Sequence, residues 1–168
     1  ELELERQITM TEAVRHELKS DMMHEAMEAL VVYSLLQGES TPASEKETLT
    51  AALAEDIEIF HSELDALSAM DLSSEISAMT KNILPLAETF SKDSQAIQIL
   101  GFTDNAAALA ALPEFQATFH RLGEALSPLA KTIENLAEER AQAARAHDMK
   151  LLYMLLALSA ATVALMLF

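Results

Sequence analysis

Apolar residues recur at spacings of three and four along nearly the whole chain, the pattern of helices that each bury one face. The first run, from about Glu1 to Gln37, places Leu4, Ile8, Thr11, Val14, Leu18, Met22, Ala26, Ala29 and Tyr33 on one side. Gly38-Glu39-Ser40 ends it, and Gly38 suits the left-handed position just past a helix. Thr41 is the expected cap of a second helix, and Pro42 its first residue, where a missing N–H costs nothing. Ser44 and Glu47 offer a further capping box one turn later. Leu49, Leu53, Ile57, Phe60, Leu64 and Leu67 form the stripe of that helix. Asp71-Leu72-Ser73-Ser74 is a polar turn and the cap of a third helix. Its inner face is Ile76, Met79, Ile83, Leu86, Phe90, Ile97 and Leu100, and Gly101 stops it. Thr103 or Asp104 then caps a short Ala-rich turn, Asn105 to Leu112. Pro113 restarts the chain as a fourth helix, with Phe115, Phe119, Leu122, Leu126, Leu129, Ile133 and Leu136 turned inward.

The last stretch differs in kind. Leu151 to Phe168 has no charge, no Pro and no Gly, and it follows the polar flank His147-Asp148-Met149-Lys150. At about 1.5 Å of rise per residue it nearly crosses a hydrocarbon core of about 30 Å. A transmembrane helix fits it better than a buried core helix. The expected fold is therefore all-α: an up-down-up-down four-helix bundle over residues 1–150, with helix 4 continuing into a C-terminal transmembrane helix over 151–168. The helices are expected near 1–37, 42–70, 73–100 and 113–168. The first helix and the water-exposed part of the fourth would each be about 55 Å long. Short turns make sequence neighbours antiparallel. The first helix then starts near the membrane, and Glu1 lies where a preceding span would end.

The net charge of −16 sits wholly on residues 1–150. Such a surface repels phosphate backbones and argues against nucleic acid as a partner. No Cys is present, which removes disulfides, thiolate metal sites and a Cys nucleophile. No phosphate-binding Gly-rich loop, nucleophile elbow or His-Glu-x-x-His motif occurs, so the chain reads as a non-enzyme without a cofactor. The five His, at 16, 24, 61, 120 and 147, are scattered and read most simply as exposed or interface residues. One spacing stands apart. Asp21 and His24, and Glu58 and His61, are carboxylate–His pairs three residues apart on neighbouring antiparallel helices, resembling half of a bundle metal site. Solvated side chains explain them more simply, because Asp21 and His24 lie off the apolar stripe. The Met residues at 22, 23, 27, 70 and 79 read as core filler rather than haem ligands.

Pro85 and Pro128 fall at one expected height, near Asp21, Glu58 and His61. Each removes a backbone hydrogen bond and presses on the carbonyl four residues earlier, those of Lys81 and Glu124. That layer is a candidate hinge for helices 3 and 4.

Two local runs bear on function. Asp21-Met22-Met23-His24-Glu25-Ala26-Met27 resembles a Met-His-acidic-Ala run in the first helix of some bacterial methyl-accepting chemotaxis receptors. Leu112-Pro113-Glu114-Phe115, followed by Phe119, Leu122 and Ile133, is similar to the start of their fourth helix. Glu28 and Leu30 stand where that run is followed by Arg and Asp. The resemblance implies an extracytoplasmic sensor domain, residues 1–150 in the periplasm and the span in the bacterial inner membrane. It implies a homodimer, a small-molecule ligand or a periplasmic binding protein as partner, a site between helices 1 and 4 of the two subunits far from the membrane, and signalling by movement of helix 4. Asp21, His24, His120 and Arg121 are the candidate ligand-binding residues. Amino-acid-sensing members hold the ligand carboxylate with arginines on helix 1, but Ser20 to Gln37 carries no Lys or Arg. The competing readings are a tail-anchored helical interaction protein and a metal-binding four-helix bundle.

Overall fold

The structure, a computed structural model, describes the backbone of residues 2–166 and the side chains of these residues except 2–4, 6, 147–148 and 157–166. Four helices follow in order: α1 (Leu2–Gln37), α2 (Ala43–Ala69), α3 (Ser74–Thr103) and α4 (Asn105–Met166). No strand occurs among the described residues. Early α1 meets late α2 through His16 and Glu63, and late α1 meets late α3 through Ser34 and Gln98. The carbonyl of Leu72, just before α3, accepts from Arg140 in the later part of α4. Consecutive helices are therefore antiparallel, in an up-down-up-down bundle. The backbones of α1 and α3 also approach closely across one diagonal, whereas among the described residues those of α2 and α4 stay farther apart across the other.

Three stripes pack as their periodicity requires. Leu53, Phe60, Leu64 and Leu67 of α2, Ile76, Ile83, Phe90 and Ile97 of α3, and Phe115, Leu122, Leu126, Leu129 and Ile133 of α4 are buried together. Full burial of such a side chain stabilises by about 1.5–3 kcal/mol. The turns are tied by polar bonds. Ser73 accepts from the Ile76 amide at 3.2 Å as the cap of α3. Lys46 Nζ donates to the carbonyls of Glu39 at 2.8 Å and Phe102 at 2.9 Å, joining the two turns at that end of the bundle. Gly38, with φ 67°, takes the left-handed conformation expected of it.

The first helix corrects the expectation by about half a turn. Its core side is Met10, Ala13, Met27, Val31 and Leu35, together with Ser20, His24 and Ser34. Most of the expected stripe faces out instead: Ile8, Leu18 and Met22 are at least half exposed and Tyr33 is 44% exposed, while Val14 packs partly buried against the core and the Leu4 side chain lies outside the described residues. Met22 is therefore not core, although Met27 is, and Met23, Met70 and Met79 pack against it. Periodicity cannot choose between two apolar faces. The interhelical contacts decide, because small Ala13, Ser20 and Ser34 allow closer packing than Tyr33 or Leu18 would.

Smaller corrections concern punctuation. Thr41 does not cap α2: its hydroxyl donates to the Gly38 carbonyl, and the Pro42 carbonyl receives the amides of Glu45 and Lys46. Gly101 does not stop α3. It lies inside the helix against Leu35, where a Cβ would come within 3.0 Å of the Leu35 side chain, so its absence admits α1. The separate turn over 105–112 is already α4, and Pro113 sits inside that helix. Asp104 makes the junction: its amide donates to Leu100, and its carboxylate accepts from Ala107 at 3.0 Å. The carbonyl that Pro113 deprives of a donor belongs to Leu109, an exposed residue.

Among the described residues no helix is long and apolar enough to cross a membrane. The expected span, 151–168, falls largely outside that description: its backbone is helical to Met166, and Leu151 to Leu156 are exposed.

Replacing Ser73 with Ala removes the α3 cap and is expected to destabilise the fold by about 1 kcal/mol. Urea denaturation checks this, as a lower midpoint with an unchanged slope.

Candidate functional site

The outer groove between α1 and α4 brings together residues that lie about 100 positions apart. Asp21, His24 and Glu25 come from α1; Phe119, His120, Gly123, Glu124, Ser127 and Pro128 come from α4. They surround an open cavity of about 590 Å³. Helical spacing explains the set. Asp21 and Glu25 are one turn apart, and His120, Glu124 and Pro128 occupy successive turns of α4.

His24 is the inner wall. The residue is 2% exposed, and its Nε2 lies 3.1 Å from the Phe119 carbonyl, to which it donates. Its ring stacks on Phe119, with centroids 4.2 Å apart, and meets Phe90 edge-on at 5.1 Å. Gly123 makes room: a Cβ there would stand 3.4 Å from His24 Cε1. Burial pushes the His24 pKa below 6.5, opposed by its bond to Phe119 and by the nearby carboxylates of Glu25 and Asp21. The neutral ring that donates through Nε2 leaves Nδ1 as an acceptor. Nδ1 is buried and has no hydrogen-bond partner in the protein.

Three of the four candidate ligand-binding residues, Asp21, His24 and His120, thus share one groove, and Pro128 closes it. Arg121 is exposed and is not among the lining residues. The groove carries no Lys or Arg, while Asp21, Glu25 and Glu124 supply three carboxylates. Glu25, Glu124 and Ser127 were not singled out in the sequence. Their signal was there, Glu25 one helical turn from Asp21, and Glu124 and Ser127 one and two turns from His120, but only the facing of α1 onto α4 gives it meaning.

The four metal candidates are not assembled. His24 turns to Phe119, whereas His61 Nε2 meets Ser91 Oγ at 3.0 Å and Glu88 at 3.9 Å, on the α3 side. Glu58 is exposed. Among the described residues no group of three His, Cys, Asp or Glu could hold a metal ion. Pro85 is exposed on α3; contacts of Asp93 with Thr118, and of residues 73–76 beside 132–136, put it about level with Ala125.

No protein-family model matches this chain, and no similar curated protein or solved structure was found.

His24 makes stability depend on pH. Because its folded pKa lies below its unfolded value, the unfolded chain binds the proton first as pH falls below about 6.5. Glu17, whose carboxyl is pushed up by burial and by Asp21 and Glu134, acts with the opposite sign. The informative measurement is therefore the difference between the protein and its His24→Asn variant. The stability advantage of the protein over the variant should shrink in urea melts as pH falls through and below 6.5. A constant difference would show that His24 is not held neutral by the fold.

Proposed function

We propose that residues 1–150 are the ligand-sensing extracytoplasmic domain of a bacterial transmembrane chemoreceptor. In this reading 151–168 is a membrane span and α4 carries the signal into it. The observation that supports it best is the continuity of α4. The helix that forms one wall of the groove runs unbroken from Asn105 to Met166 and so into the apolar segment. The groove stands roughly 35–45 Å of helix before Lys150. An occupant drawn against His120, Glu124 and Ser127 acts on the same rod that would enter the bilayer. Pro128 borders the groove and removes the amide that would bond the Glu124 carbonyl, so the rod lacks a backbone bond beside the site.

The outward face of α1 supports a parallel homodimer. Ile8, Leu18, Met22 and Tyr33 form an exposed apolar stripe over most of its length, an arrangement typical of partner surfaces. Asp21 and Glu25 flank that stripe, so the groove borders the proposed dimer seam. An occupant could then bias the packing of two copies as well as the bend of one helix. The negative charge of each copy opposes association, and salt should favour it.

The chain has no native Cys, so single Cys substitutions report the seam directly. In membranes, Met22→Cys is expected to form a disulfide-linked dimer on mild oxidation, and buried Ala13→Cys to form none. Equal cross-linking of both would count against a seam through α1. Pro128→Ala restores a backbone donor and should raise the denaturation midpoint while blunting the response of a receptor carrying this domain. An unchanged response, read by methylation or kinase output, would rule out the bend at Pro128 as part of the signal.

A further inference from the structure

We infer that the groove between α1 and α4 takes a small organic cation, bearing one or two ammonium groups, as its ligand. The inference rests on reading this groove as the sensing site and adds the chemical class. The polar groups that meet there are dominated by acceptors. Asp21, Glu25 and Glu124 are carboxylates, and no Lys or Arg stands among the lining residues to neutralise them. An anionic occupant would have to face three carboxylates with no Lys or Arg to offset them, whereas an ammonium supplies the opposite sign and the donors.

His24 is the second, independent observation. Its Nε2–H is committed to the Phe119 carbonyl, so the unpartnered Nδ1 of this 2% exposed residue holds a lone pair. A buried acceptor left without a donor is unfavourable, and because His24 is one of the residues lining the groove, a donor that reaches Nδ1 from there would relieve it. The surrounding surface suits the rest of such a molecule. Phe119, braced from behind by the stacked His24 ring, and Pro128 give an apolar wall for a carbon chain. A bare metal ion fits less well, because no three ligating side chains among the described residues come together. Ammonium groups need no such convergence: each bonds one or two carboxylates at hydrogen-bond distance. The −16 charge of the chain also concentrates cations at its surface and speeds their arrival.

The probe is 1,4-diaminobutane, with succinate as the four-carbon dianion of opposite sign. Both are titrated calorimetrically into the full 168-residue chain held in uncharged nanodiscs. Diaminobutane should bind saturably, and the pair Asp21→Asn with Glu124→Gln should weaken it by about tenfold or more. Both residues are exposed, so the variant is expected to fold, which its helical circular dichroism verifies. Removing two other exposed carboxylates, Glu47→Gln with Glu138→Gln, should leave binding unchanged. Equal weakening by the two pairs would show attraction by overall charge and overturn the site. Succinate binding that is lost on Gly123→Leu would overturn the cationic class yet keep the groove as the sensing site. Silence from both probes, with Met22→Cys cross-linking intact, would remove the cation inference and leave the receptor reading to stand on the dimer.

Discussion

Everything in the bundle depends on how α1 seats against α3 and α4, and that seat is built around a polar ring. His24 would be costly inside an apolar core if it were charged or unbonded. It is kept neutral by burial, bonded on one nitrogen and sandwiched among Phe90, Phe119 and the bare backbone of Gly123. The same face adds Ser20 and Ser34. Both return their hydroxyl protons to carbonyls one turn earlier, and Ser34 also receives Gln98 from α3. A helix that turns small and polar groups inward can approach its neighbours closely, and one that turns its larger apolar groups outward must find them other company. The groove and the exposed stripe are two results of that one choice.

The sequence made the number, order and antiparallel course of the helices legible, because α2, α3 and α4 each have a single apolar stripe. It left α1 ambiguous for a definite reason. Ile8, Leu18, Met22 and Tyr33 on one side, and Met10, Met27, Val31 and Leu35 on the other, are equally apolar. The side chains that settle the matter, Ser20, His24 and Ser34, look unfit for a core until their partners are known. Gly101 and Pro113 misled for a different reason. Both are ordinary signs of a helix boundary, but at Gly101 the close approach of Leu35 explains the missing side chain. At Pro113 the freed carbonyl lies on an exposed residue, where water can serve it.

Candidate site residues were partly legible. Spacing brought out Asp21 and His24 as a pair, but joined them to Glu58 and His61 on α2. The inward turn of α1 joins them to α4 instead, where Glu124 and His120 wait at matching turns. The resemblance implies a site between helices 1 and 4 of two subunits, whereas this groove lies between those helices of one chain. The chemistry lining it is not that of a carboxylate-holding site. The absence of Lys and Arg from the distal half of α1 was visible in the sequence, and the structure extends it to the facing surface of α4 at this level.

The bundle's cross-section has a mechanical consequence. Close approach of the α1 and α3 backbones, with α2 and α4 farther apart among the described residues, makes it a rhombus rather than a square. The two helices on the short diagonal form a spine with neighbours on every side, while α2 and α4 occupy the acute corners. A helix at such a corner is gripped along two seams instead of three. Axial slip of α4 therefore shears mainly its seams with α1 and α3, although its inner side chains share one core with those of α2. Of the four rods, the one that continues beyond the bundle is also one of the two least encumbered by it.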